Sequence, residues 1–180
     1  MKTRQLTRAS PSIVCEKADI HLVRAVHELT ARGADVGALI VGEGSQRPQI
    51  EHEIRRLGVD GKVRLVGESQ DVRPYLASMD IFVLPSVTGE TFSNAVLEAM
   101  AMSLPVVVSR VGGMDEMIRF GGGMSYPPGD VKSLCDLLMP LVSSSATRTR
   151  LGAQARQAVE KHFSFCRMLS DFEERVIAAR

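Results

Sequence analysis

Short apolar runs alternate along the chain with longer stretches of helical period. Residues 36–41, 63–66, 81–84 and 106–108 are short, mostly apolar and almost free of charge. Strands covered on both faces of a parallel sheet read this way. Ile13, Val14 and Cys15 form the shortest run, just after Pro11, and a central strand is normally longer. Between the runs lie helical patterns. Residues 21–31 put Leu22, Val23, Val26 and Leu29 on one stripe. Residues 46–57 follow a glycine turn and carry a polar face of Glu and Arg. Residues 91–102 follow the Ile81 run, and 131–142 follow a Pro-Pro-Gly-Asp turn with Asp130 as cap. Ser143-Ser144-Ser145 reads as a polar loop. Residues 148–180 read as two helices broken at 162–164, with Ser164 capping the second. The pattern predicts an α/β fold: a single Rossmann-like domain over 12–180, with an open, mostly parallel sheet of about six strands and helices on both faces. Residues 1–11 form a poorly anchored N-terminal segment, and the C-terminal helices occupy 146–180. Such an opening suits a polypeptide that starts in the middle of a larger protein.

Composition narrows the function. The 180 residues are 44% hydrophobic and 24% charged, with a formal charge of +1. A core is affordable, and no large net field draws nucleic acid or anionic lipid. Cys15, Cys135 and Cys166 are scattered, which excludes a disulfide scaffold or a C-x-x-C pair. His21, His27, His52 and His162 lack zinc-site spacing, so no metal is expected. No apolar run has the length of a membrane span, and no signal-type apolar core follows the first residues. A reducing, cytoplasmic setting fits, with peripheral membrane association left open for a full-length protein.

Three segments carry candidate chemistry, each directly after a strand. Gly42-Glu43-Gly44 would let a ligand approach a backbone and a helix start. The dinucleotide fingerprint needs a third glycine where Arg47 stands, so a plain strand-to-helix turn is an equal reading. The second segment runs from Leu84 into a helix and holds Glu90 in its loop. Thr91, Asn94 and Glu98 then share a helix face, and the free N–H groups near Phe92, Ser93 and Asn94 point back at the loop. A diphosphate there meets several N–H groups and the positive end of a helix, and the two oxygens of Glu98 suit a ribose diol. The ordinary alternative for Glu98 is a surface helix glutamate, although Val96, Leu97, Ala99 and Met100 make apolar company. The third segment has Gly112-Gly113 opening a helix that holds Glu116. Gly121-Gly122-Gly123 and residues 127–130 read as turns. Lys17 could reach a phosphate or could simply be solvated, and Asp19 could cap the helix that follows.

Taken together, these segments resemble the C-terminal, donor-binding domain of GT-B glycosyltransferases of family 4 (group 1). The family pattern has two glutamates eight positions apart in an E-G-F…L-E-A-M-A stretch. Here it stands as Glu90-Thr91-Phe92 through Leu97-Glu98-Ala99-Met100-Ala101. Leu104-Pro105-Val106-Val107-Val108, Gly112-Gly113…Glu116 and Pro127-Pro128-Gly129-Asp130 follow in family order, and Gly42-Glu43-Gly44 and Val66-Gly67 match earlier elements. The resemblance implies a retaining transferase using a nucleotide-diphosphate sugar. It places Glu98 on the donor ribose, Glu90 beside the donor sugar and phosphates, and Lys17 with the amides of Phe92 to Asn94 on the diphosphate. Gly42 admits the donor near the first crossover, with Thr91 also able to donate to phosphate. The backbone at Val66 and Gly67 borders the base. No cofactor or metal is implied beyond the nucleotide-sugar substrate.

The chain departs from the family at four places. Ser12 stands where the family has Arg five positions before its lysine, a loss worth about 1.5–3 kcal/mol if that cation faced the diphosphate. Ala18 and Ser103 replace glycines, and Ser103 would strain a left-handed helix end. Thr91 replaces the glycine of E-G-F. The implied partner is the other GT-B domain, which brings the acceptor. Without it the chain is expected to bind donor weakly and to transfer sugar poorly or not at all. Self-association through Phe163, Phe165, Leu169 and Phe172 is the other expectation. A non-catalytic nucleotide-binding or partner-binding module is the alternative function. An NAD-dependent oxidoreductase ranks far lower.

Overall fold

The computed structural model describes residues 11–15, 20–87 and 91–177. Six strands form one parallel sheet: β1 (Ser12–Cys15), β2 (Gly37–Val41), β3 (Val63–Gly67), β4 (Ile81–Leu84), β5 (Val106–Ser109) and β6 (Gly123–Tyr126). Their order is β3-β2-β1-β4-β5-β6, and every neighbouring pair is parallel. The helices are α1 (Ile20–Ala31), α2 (Arg47–Leu57), α3 (Arg73–Ala77), α4 (Asn94–Ala101), α5 (Met114–Ile118), α6 (Val131–Ser143), α7 (Ser145–His162) and α8 (Phe165–Ile177). The expected architecture is therefore the observed one.

The two sheet faces bury separate cores. Leu22, Val23, Val26 and Leu29 of α1 join Ile50 and Ile54 of α2 and Leu134, Leu138 and Leu141 of α6 on one face. Val96, Ala99 and Met100 of α4 join Met114 and Met117 of α5 and Ala155 and Ala158 of α7 on the other. Strands sandwiched this way have buried residues throughout, as β2, β4 and β5 do. That double burial is why they stand out as unbroken apolar runs.

The short first strand is nonetheless central. β1 pairs with β2 and β4, and its start is tied to the start of β4. The Ser12 N–H donates to Asp80 Oδ2 (2.9 Å), and the Asp80 N–H donates to the Ser12 carbonyl (2.9 Å). Two elements escape the sequence pattern. α3 has five residues, too few to show a period, and β6 lies on the sheet edge and starts at the last of three glycines. α4 begins at Asn94 rather than at 91, and α7 begins at Ser145, so the expected serine loop is instead a cap. Ser144 Oγ accepts from the Thr147 N–H (3.2 Å). The expected caps Asp130 and Ser164 accept from Ser133 N–H (3.0 Å) and Arg167 N–H (3.3 Å).

Ser103 takes the strained conformation its position suggested. α4 ends in a Schellman motif: Leu104 N–H donates to Ala99 O (3.0 Å) and Ser103 N–H to Met100 O (3.0 Å). Ser103 sits at φ 60, the one non-glycine among the described residues at positive φ. Ser103→Gly should therefore stabilise the chain by about 0.5–1 kcal/mol, the relieved strain less the extra freedom of the unfolded chain. Thermal unfolding reads this as a rise of about 1–4 °C in Tm; a fall would show that the serine side chain holds the motif.

A buried carboxylate fastens α1 to α2. Glu53 is 4% exposed and accepts from Arg56 Nε (2.6 Å) and Arg24 Nε (2.8 Å). Arg56 first, and Arg24 second, hold its carboxyl down at about 2. A depressed native value means the carboxylate stabilises the fold fully above the ordinary value near 4.5 and loses that contribution as pH falls toward 2. Glu53→Gln should flatten the fall of the urea midpoint between pH 5 and pH 3, whereas parallel curves for variant and wild type would remove Glu53 from the acid response.

Candidate functional site

The strand order reverses between β1 and β4, and open α/β sheets bind ligands beyond the carboxyl ends of strands at such a switch point. Lys17 and Glu90, both expected there, lie outside the described residues, as do Ala18 and Asp19. The surrounding elements are described and define a crevice wall.

Glu98 stands on the second turn of α4 with its side chain exposed. It lines a small pocket whose other walls are apolar: Val41 at the end of β2, Phe82 on β4, Ala95 on α4, and Val72, Tyr75 and Leu76 at α3. One carboxylate at the edge of an apolar pocket can accept two hydroxyl hydrogen bonds, although the pocket itself holds only one water's worth of space, about 10 Å³. The Glu98 carboxylate makes no hydrogen bond or ion pair to another described residue. The α3 wall was not foreseen, because a five-residue helix left no signal.

The start of α4 only partly matches expectation. Asn94 and Thr91 are exposed, and no side chain caps the helix. Among the described residues, then, no side-chain cap takes up the positive end of this helix, the end that favours an anion. Thr91, however, precedes the helix instead of sharing its face. The Ser93 N–H turns inward and donates to Met117 Sδ (3.4 Å), and Ser93 is buried. The expected anion contact from Ser93 is thus withdrawn, since a sulfur acceptor on α5 already uses that proton. The loop is pinned on its other side too. A Cβ on Gly113 would stand 2.4 Å from the Thr91 carbonyl oxygen, so only glycine lets the start of α5 come this close. Ser109, wholly buried at the end of β5, donates its hydroxyl to the Ser86 carbonyl.

At the far end of the crevice, Gly42 and Gly67 come together. The Gly42 N–H donates to the Gly67 carbonyl (2.7 Å), with φ of 127 at Gly42 and 91 at Gly67. Val66 is half-buried beside them. Arg47 donates to Glu43 and to Glu51 (2.9 Å), and Glu43 Oε1 lies 3.0 Å from where a Cβ on Gly67 would stand. The residue in the third-glycine position is thus a clamp on this turn, which accounts for the incomplete fingerprint.

Ser12 requires a correction. It begins β1, opposite Gly37, and bonds to Asp80 just ahead of β4. That is the amino edge of the sheet, away from the crevice. The structure therefore sets Ser12 apart from the carboxyl ends of the strands, where the resemblance had placed an arginine on the diphosphate. Among the described residues, no group of three His, Cys, Asp or Glu side chains is arranged to hold a metal ion. No described helix is long and apolar enough to cross a membrane.

Known proteins share this architecture. The chain is 33% identical over 138 residues to the lipopolysaccharide core biosynthesis glycosyltransferase LpsE of Rhizobium meliloti, covering 76% of this chain and 40% of that protein. It spans less than half the length of such curated relatives. Among solved structures, Anabaena Alr3699/HepE in complex with UDP superposes with a TM-score of 0.83 at 20% identity, over 97% of this chain and 50% of that one. The C-terminal domain of a group 1 family glycosyl transferase, LpcC of Francisella tularensis, superposes with a TM-score of 0.76 at 21% identity, over 86% of this chain and 87% of that domain. A family model, glycosyl transferases group 1, matches residues 12–144, and the chain belongs to that family.

Proposed function

We propose that the chain is the donor-binding domain of a retaining glycosyltransferase that moves a sugar from a nucleotide-diphosphate sugar to an acceptor held by a second domain. The observation that carries this reading is the Glu98 carboxylate, exposed at the edge of an apolar pocket and one turn from the start of α4, which no described side chain caps. The structural neighbour Anabaena Alr3699/HepE, solved in complex with UDP, supports a nucleotide as the ligand.

The residues divide the work as follows. Glu98 accepts the two ribose hydroxyls. The backbone at Val66 and Gly67 borders the base, and the Gly42 turn leaves the donor room. The amides at Phe92 and Asn94, the Thr91 hydroxyl and Lys17 meet the diphosphate. Charge grows on that diphosphate as the anomeric bond breaks, so fixed positive groups there stabilise the transition state more than the ground state. Glu90 positions the donor sugar. The second domain supplies the acceptor and closes the crevice against water, so the chain alone binds nucleotide weakly and turns over little.

Saturation-transfer NMR of the 180-residue chain with UDP-, GDP- and ADP-sugars tests the reading. Transfer to ribose and base protons of at least one donor is expected, with loss of that transfer in Glu98→Ala. Silence from all three donors at millimolar concentration would overturn the site and favour a partner-binding module. Sugar transfer at an ordinary rate by this chain alone would overturn the need for a second domain.

A further inference from the structure

Phe92 leaves the chain just before α4 with half its surface exposed (52%). Its ring lies 6.1 Å from that of Phe163, at a tilt of 59°. Phe163 ends α7 at the elbow before α8, where its N–H donates to Val159 O (3.0 Å). Its ring also meets the edge of Phe120 (5.9 Å, 69°), the residue shortly after α5. Phe120 stacks flat on His162 (3.7 Å, 4°), and the Arg119 guanidinium sits 4.6 Å from the Phe120 centroid. The two Phe163 pairs have the tilted and edge-on separations at which aromatic rings attract.

The contacts close a loop around the start of α4. α5 fixes the backbone on both sides of Phe92: Gly113 abuts the Thr91 carbonyl, and Met117 accepts the Ser93 N–H. The elbow fixes the Phe92 ring itself, and Phe120 joins α5 to the elbow. A glycosyltransferase needs its diphosphate-facing amides set before the nucleotide arrives, because ordering them on binding lowers affinity. We propose that the α7–α8 elbow, through Phe163 backed by His162 and Phe120, is a positioning element that holds Phe92 and the 91–94 backbone in their nucleotide-binding geometry. The inference rests on the donor-site reading above and adds to it residues from the far end of the sequence.

The test uses Phe163→Ala in the full 180-residue chain, with UDP, GDP and ADP as probes. Amide resonances of Phe92 and Asn94 are recorded without nucleotide, and affinities are then measured by titration. Losing one ring contact corresponds to about a twofold to tenfold rise in Kd. The amides should shift in the free chain, and Phe163→Tyr should restore both shifts and affinity. Phe172→Ala, exposed on α8 and outside the ring cluster, should leave both at wild-type values. Unmoved amides in Phe163→Ala, moved amides with unchanged affinity, or the same losses in Phe172→Ala would each overturn the positioning role. A wild type that binds none of the three nucleotides fells the donor-site reading and the positioning role together. An unmoved spectrum in a chain that does bind nucleotide fells the positioning role alone.

Discussion

Gly152→Ala should lower the unfolding free energy by about 3 kcal/mol, at the upper end of what overpacking costs. Gly152 lies mid-helix in α7, where alanine would ordinarily be the better residue by about 1 kcal/mol. The added methyl carbon, however, would stand 2.0 Å from the Ser103 carbonyl oxygen and 2.9 Å from its carbon. Neither partner can yield cheaply. Ser103 is held by the Schellman bonds that end α4, and α7 is held to the same helix end by Arg156, which donates to the Ala101 carbonyl. Ala155 on the next turn is equally confined, since a Cβ on Gly122 would overlap its Cα at 2.3 Å. The helix must therefore lift as a body, opening the core beneath α4. Differential scanning calorimetry should show Tm falling by about 6–12 °C for a chain of this size. Gly61→Ala, with nothing within 4 Å of its Cβ, is the control and should stay within about 0.5 kcal/mol of wild type. A loss below about 1 kcal/mol in Gly152→Ala would mean that α7 can slide over Ser103.

The parts of this fold that are plain in the sequence are those whose burial is uniform. β2, β4 and β5 are buried at every position, so each reads as an apolar run without periodicity. α1 shows its stripe because only one side of it faces the core. β6 is hidden because Gly123, Met124 and Ser125 are half-buried, and only Tyr126 is fully inside. α3 is hidden by its length. Ser103 was legible for a different reason: a left-handed helix end calls for glycine, and the missing glycine points to strain.

The site was legible one residue at a time and not as a surface. Glu98 could be placed because four apolar neighbours in sequence imply a helix side turned inward, with the glutamate at its margin. The pocket wall from Val72, Tyr75 and Leu76 depended on an element with no signal. The inward turn of the Ser93 N–H depended on Met117, twenty-four positions away. The cluster of Phe92, Phe120, His162 and Phe163 likewise joins three distant segments, and no local pattern connects them. Ser12 shows the opposite error. Counting from Lys17 put it at the diphosphate, whereas pairing with Gly37 puts it at the other end of the strand.

The second large effect is expected at Glu98. Glu98→Ala should raise the Kd for the nucleotide that the chain binds best by about tenfold to 150-fold, the loss of charge-assisted hydrogen bonds worth about 1.5–3 kcal/mol. The fold should be nearly indifferent, because the side chain is exposed and bonded to no described residue, and alanine suits a helix. A loss of affinity with unchanged Tm therefore separates a binding role from a structural one. The ribose supplies a second, independent cut. A 2′,3′-dideoxy nucleoside diphosphate lacks the hydroxyls that Glu98 is proposed to accept, so wild type should bind it about as weakly as Glu98→Ala binds the parent nucleotide. Combining the two changes should then cost little more than either alone, the mark of two groups that interact directly. If the two losses instead add in full, the carboxylate and the ribose diol are not partners. Nucleotide binding would then have to be explained by the start of α4 and the glycine turns alone.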